Sequence, residues 1–203
     1  MKTAFIIVDV QNDFTEGGSL PVTGGAEVAA GITDFLNLHH GLFALVCASQ
    51  DWHIPHSTDG GHFPPLGQTP NFRTTWPLHC IEETHGARFH PALDTKRIDV
   101  DVRKGIGVPA YSAFQGETAN GIALNGVLAT HGITDLVVCG LATDYCVHQT
   151  VMDARSRKYP VTMLSDLSAG VAPDTTQQAL VEMAQVGAHV MTSGDYLSSM
   201  RGT

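Results

Sequence analysis

The chain has 203 residues, 43% of them hydrophobic, which is enough to bury a full core in one domain and short for two. With 11 Lys and Arg against 20 Asp and Glu the formal net charge is -9, so there is no basic footprint for nucleic acid or an anionic membrane. The first apolar run stops at Asp9, too early for a signal-peptide core, and no later run approaches a transmembrane length. Four cysteines at wide spacings, without a CxxC pair, suit a reduced, cytoplasmic protein.

Residues 4–8 (Ala-Phe-Ile-Ile-Val) form a nearly continuous apolar run, as expected of a strand covered on both faces, and deliver Asp9 at its end. A polar, glycine-bearing loop follows, with Phe14 as its one large apolar group. The spacing of Val28, Ile32, Phe35, Leu36 and Leu38 predicts a helix over 25–38, and 42–49 reads as a second buried strand. From about 50 to 93 periodicity fails while Pro, Gly, Thr and aromatic residues accumulate. A structureless stretch of that length inside a compact domain is usually functional, and this one carries His53, His56, His62, His79, His85 and His90.

Residues 98–103 alternate apolar and charged side chains, which suits an edge strand ending at Lys104-Gly105. A loop with Tyr111 leads to a helix expected over 117–130. Then come a buried strand at 135–139 and a helix capped by Thr143 that places Cys146 at its third position. A strand at 161–164, a helix at 175–184 and a last strand near 188–191 complete the chain. Six strands alternating with helices predict an α/β, three-layer Rossmann-like fold, with a six-stranded parallel sheet and helices on both faces. We expect one domain over 1–203.

In such a sheet the ligand crevice lies outside the carboxyl ends of the strands. Asp9, Asp51, Lys104 and Cys146 all follow predicted strand ends, so a base, a cation and a thiol from distant positions converge on one rim. Each alone has a plainer reading, as a solvated charge, an ion pair or a small core cysteine. Together they meet the needs of nucleophilic acyl transfer. In the first turn of a helix, backbone N–H groups and the helix dipole favour a thiolate and can receive an oxyanion. Asp51-Trp52-His53 sets a carboxylate and an imidazole two residues apart, with further histidines in the same loop. Such a set suits a Zn²⁺, Mn²⁺ or Fe²⁺ ion, or simply a solvated surface.

The segments Asp9-Val10-Gln11-Asn12-Asp13-Phe14, Gln50-Asp51-Trp52-His53, Trp76-Pro77-Leu78-His79-Cys80, Arg103-Lys104-Gly105 and residues 140–147 occur in an order and spacing that resembles the nicotinamidases, within the isochorismatase-like cysteine hydrolases. The resemblance covers nearly the whole chain. It implies a catalytic triad of Asp9, Lys104 and Cys146, and a divalent ion, zinc first and iron or manganese next, on Asp51, His53, His62 and His79. His56 is a competing imidazole in the same loop. It further implies substrate contacts at Phe14, Trp76, Tyr111, Leu141 and Ala142, a cis peptide between Leu141 and Ala142, and an oxyanion hole from the N–H groups of Ala142 and Cys146. The implied activity is hydrolysis of nicotinamide, and of pyrazinamide, to the acid and ammonia through a thioester on Cys146, serving NAD salvage. The partner is then a small molecule, and a homo-oligomer is compatible with it. An amidase for a carbamoyl or ureido compound is the neighbouring alternative, and a metal- or thiol-responsive binding protein the more distant one.

Overall fold

The computed structural model describes residues 2–201. Six strands form one all-parallel sheet: β1 (Thr3–Val8), β2 (Leu45–Asp51), β3 (Val100–Lys104), β4 (Asp135–Leu141), β5 (Val161–Ala169) and β6 (His189–Met191). Their order across the sheet is β3-β2-β1-β4-β5-β6, so the sequence order reverses between β1 and β4. That reversal opens a crevice at the carboxyl ends of the two central strands, and Asp9 and Cys146 emerge there. The edge position expected for the alternating strand is that of β3.

The helices are α1 (Gly25–His39), α2 (Leu124–Thr130), α3 (His148–Ser156), α4 (Pro173–Gln185) and α5 (Ser193–Arg201). Because side chains alternate along a strand, Ala4, Ile6 and Val8 point to one face and Phe5 and Ile7 to the other. The first set packs with Leu124 and Leu128 of α2, Val151 and Ala154 of α3 and Met183 of α4. The second packs with Val28, Ile32, Phe35 and Leu36 of α1 and Tyr196 of α5. Both faces of β1 are therefore dry, which is why its sequence is apolar without a break.

The structure corrects three expectations about the elements. The helix predicted over 117–130 begins only at Leu124. Glu117 instead exchanges backbone hydrogen bonds with Arg103 at the open edge of β3, and Gly121, at φ +74°, closes a turn onto Thr118 O. A left-handed glycine and a strand partner both oppose helix at that point. The strand expected at 161–164 runs on to Ala169. The C-terminal helix α5 was not predicted.

Gly140 shows how closely β1 and β4 approach. It pairs with Val8 in register, at φ +119°, and a Cβ built on it would lie 2.2 Å from Val8 O. Gly140→Ala is expected to lower stability by about 3 kcal/mol, since neither backbone can yield without breaking the central pairing. Urea unfolding followed by circular dichroism checks this, and an unchanged midpoint would contradict the packing.

Candidate active site

Four strand ends supply the polar floor of the crevice. Asp9 follows β1 in a left-handed conformation, at φ +48°, with its N–H bonded to Ser49 O at 3.2 Å. A left-handed non-glycine residue is costly and persists only where its surroundings impose it. Ser49 Oγ donates to Asp9 Oδ1 at 2.7 Å, which fixes the carboxylate plane. Asp9 Oδ2 lies 2.8 Å from Lys104 Nζ as an ion pair, but out of line for a hydrogen bond. That oxygen is left with capacity for a proton.

Lys104, the last residue of β3, reaches three partners with its ammonium. It donates to Asp51 Oδ1 at the end of β2, stands beside Asp9 and lies 3.7 Å from Cys146 Sγ. The side chains of Asp9 and Lys104 are fully buried, and Cys146 is 7% exposed. Burial works against the Lys104 charge, but Asp51 and Asp9 outweigh it and hold the ammonium's pKa well above the usual lysine range. Burial also works against the Asp51 charge, and Lys104 with the neighbouring histidines holds that carboxyl well below the usual range. Asp9 moves upward, driven first by burial, with Lys104 opposing and Asp51 adding to the rise. A raised carboxyl beside a thiol is a suitable proton acceptor.

Burial pushes the Cys146 thiol well above the usual range; Lys104 pulls it back, and Asp9 and Asp51 push it further. One oxygen each of Asp9 and Asp51 and the Cys146 sulfur lie within 4.8 Å of one another, so the Asp9 carboxylate is within reach of the thiol.

The turn carrying Cys146 also differs in detail from the sequence reading. The Leu141–Ala142 peptide is cis, and a π turn over Thr143–Val147 precedes α3. Ala142, not Thr143, stands at the N-cap, without a side-chain cap bond, so Cys146 is the fourth residue of the turn. Ala142 O instead receives the N–H groups of Tyr145 and Val147 at 3.0 and 3.1 Å. From the first turn Asp144 accepts Val171 N–H and Ala172 N–H, which ties the segment ahead of α4 to the turn. Thr150 Oγ1 donates to Cys146 O at 2.7 Å.

Beside this group three imidazoles crowd together. One ring nitrogen each of His53, His62 and His79 lies within 4.8 Å of the others, all three residues being buried. Asp51 Oδ2 is 3.6 Å from both His53 Nε2 and His79 Nε2. The outer nitrogens are already committed: His53 Nδ1 meets Asp59 Oδ2 at 2.7 Å and Gly105 O at 3.0 Å, and His79 Nδ1 meets Pro77 O at 2.7 Å. Those acceptors call for protons on the Nδ1 atoms, and the Nε2 atoms of His53 and His79 face inward toward Asp51. His53 Nε2 is a buried nitrogen without a hydrogen-bond partner. Burial, then His79 and His53, pushes His62 down to about 3, whereas at His53 burial is outweighed by Asp51 and Asp59, which raise its pKa. Three buried imidazoles beside a carboxylate, with His62 Nε2 3.4 Å from His79 Nε2, fit a divalent cation, with Asp59 and Gly105 as outer supports.

Among the competing histidines, His56 is exposed and outside this cluster. Gly105 is required by contact as well as by conformation, since a Cβ there would lie 2.7 Å from His53 Cε1 at φ +81°. Asp59, Ser49 and Gln11 are supports that sequence reasoning missed. Gln11 Nε2 donates to Asp51 O and Ala87 O, and its Oε1 accepts Asp51 N–H at 2.9 Å. An amide anchoring a backbone leaves no periodic signal.

Above this floor opens a cleft. Phe14, Trp76, Tyr111 and Tyr145 wall it; Asp51, His62, His79, Ala142 and Cys146 reach into it. Trp76 Nε1 donates to Tyr111 OH at 2.9 Å, and Tyr145 meets the Trp76 ring edge-on at 5.1 Å. Leu141 is a correction: its side chain is fully buried in the core on the α1 face and does not line the cleft. Leu20, Val22 and Val171 line it instead.

Residues 3–195 match the Isochorismatase domain family. The chain is 45% identical over 194 residues to the nicotinamidase/pyrazinamidase of Mycobacterium tuberculosis, covering 94% of this chain and 98% of that protein. Among solved structures, an Acinetobacter baumannii nicotinamidase/pyrazinamidase superposes with a TM-score of 0.80 at 33% identity, covering 96% of this chain and 98% of the other. A pyrazinamidase of Pyrococcus horikoshii in complex with zinc superposes with a TM-score of 0.79 at 31% identity, covering 95% and 99%.

Proposed function

The chain belongs to the isochorismatase family and is an amidohydrolase of the nicotinamidase/pyrazinamidase type; on that premise we propose that Cys146 attacks the amide carbonyl of nicotinamide, served by Asp9 and Lys104. One observation carries this division of labour: the Lys104 ammonium stands 2.8 Å from Asp9 and 3.7 Å from Cys146 at the floor of an aromatic cleft. Asp9 Oδ2 takes the thiol proton as sulfur bonds to the carbonyl carbon. Lys104 compensates the charge that passes between them. The N–H groups of Ala142 and Cys146 receive the developing oxyanion.

Collapse of the tetrahedral species breaks the carbon–nitrogen bond, and Asp9 returns its proton to the leaving ammonia. Asp9 then removes a proton from a water that attacks the nicotinoyl thioester, releasing nicotinate and restoring the thiol. Phe14, Trp76 and Tyr111 sandwich the ring, which orients the carbonyl toward sulfur. Asp51, His53, His62 and His79 would hold one divalent ion, zinc by the donor set with iron or manganese as alternatives, supplying a Lewis-acidic anchor for a ring nitrogen.

The test is ammonia release from nicotinamide, pyrazinamide and a ureidoacrylate on one preparation. We expect turnover of both heteroaromatic amides and little or none of the ureido compound. Turnover of the ureido compound alone would reassign the substrate class.

A further inference from the structure

Trp76 is the wall of the cleft held by the least regular chain, so what fixes it bears on how well the ring slot is formed. Its backbone N–H donates to His62 O at 2.9 Å and its indole N–H to Tyr111. The five residues before it are exposed or half-buried and belong to no helix or strand. One side chain organises them. Asn71 Oδ1 accepts the backbone N–H groups of Arg73, Thr74 and Thr75 at 2.9, 2.8 and 3.1 Å. Asn71 Nδ2 donates to Thr74 Oγ1, and Thr75 Oγ1 accepts Asn71 N–H, both at 2.9 Å.

The clamp has a visible consequence at Phe72. That residue sits at φ +55°, a region in which a bulky side chain is strained, and its N–H closes onto Thr75 O at 3.0 Å. The conformation carries the Phe72 ring edge-on to Trp76, with centroids 6.4 Å apart, although Phe72 itself is 57% exposed. An exposed phenylalanine in a strained conformation is not there for burial. Its ring contact is with Trp76.

We propose that Asn71 is a positioning residue for substrate affinity, acting through Phe72 and Trp76 by fixing the turn that aims the indole into the ring slot. The proposal rests on the reading of Trp76 as a wall of that slot. Asn71 touches neither the triad nor the histidine cluster, so its loss should weaken ring binding and leave the chemical step alone. An aspartate there keeps the acceptor for the three backbone N–H groups and can accept from the Thr74 hydroxyl where asparagine donates to it.

The experiment compares Asn71→Ala, Asn71→Asp and Phe72→Ala with wild type, with steady-state kinetics on nicotinamide and Cys146 alkylation by iodoacetamide. We expect Asn71→Ala to raise KM about tenfold, the scale of one to two lost hydrogen bonds, with kcat within about twofold. Alkylation should stay at the wild-type rate, Asn71→Asp should recover most of the affinity, and Phe72→Ala should reproduce part of the KM increase. A wild-type KM in Asn71→Ala, a loss confined to kcat, or slowed alkylation would each overturn the positioning role. If wild type itself releases no ammonia from nicotinamide, the substrate reading has failed instead, and that result is separable from the others.

Discussion

Cys146→Ala is expected to lose ammonia release from nicotinamide by about 10³-fold or more, the scale on which covalent enzymes lose rate without their nucleophile. The reason is positional. Cys47, Cys80 and Cys139 are also free and buried, but Cys47 and Cys139 lie inside strands and pack in the core. Burial pushes the thiols of Cys80 and Cys139 well above the usual range and that of Cys47 up to about 12, with no lysine beside Cys47 or Cys139 to take part in a proton relay. Only Cys146 faces the cleft with an ammonium at 3.7 Å and a carboxylate with proton capacity. Cys47→Ala and Cys139→Ala should therefore keep kcat, even where a small cavity in the core lowers stability by about 1–2 kcal/mol. A nicotinoyl adduct on Cys146, seen by mass spectrometry after rapid quenching, is the direct positive result. Undiminished hydrolysis by Cys146→Ala would rule out the thioester.

The sequence carried the layer architecture because burial on both sheet faces leaves an unbroken apolar signature in residues 4–8 and 135–139. It carried Asp9, Asp51, Lys104 and Cys146 because strand ends in a parallel sheet share one rim. The oppositely placed error at 117–123 arose because helical periodicity at Leu124 and Leu128 says nothing about where a chain ceases to pair with an edge strand. The supports were illegible for a different reason. Asp59 matters through one bond to His53 Nδ1, Ser49 through one to Asp9 and Gln11 through an amide bridge, and single bonds between distant positions have no spacing to recognise. The upward push on the Cys146 thiol was also out of reach, since it depends on burial and on two carboxylates gathered around one ammonium, which only proximity reveals.

His53→Ala, or exhaustive chelation of the wild type, is expected to lower nicotinamide turnover by about 10²-fold while Cys146 alkylation by iodoacetamide stays within about threefold. The two readouts part because the two clusters do different work. The imidazoles belong to the irregular loop that also carries Trp76, beside the aromatic slot, whereas the Cys146 sulfur comes from the turn after β4. A ring anchored at one end and walled on its faces presents its carbonyl to sulfur; an unanchored ring samples many poses. Asp51 is the one residue common to both clusters, through Oδ2 to the imidazoles and Oδ1 to Lys104. Its replacement should damage both readouts, which makes Asp51→Asn the diagnostic contrast to His53→Ala. Asp59→Asn should weaken metal retention without abolishing it, since it removes a charge behind His53 and leaves the four donors in place. His56→Ala should change nothing, its side chain being exposed and outside the cluster. Metal content by plasma mass spectrometry on each variant checks the ligand set apart from catalysis. Full nicotinamide turnover in protein shown to be metal-free would refute the anchoring role.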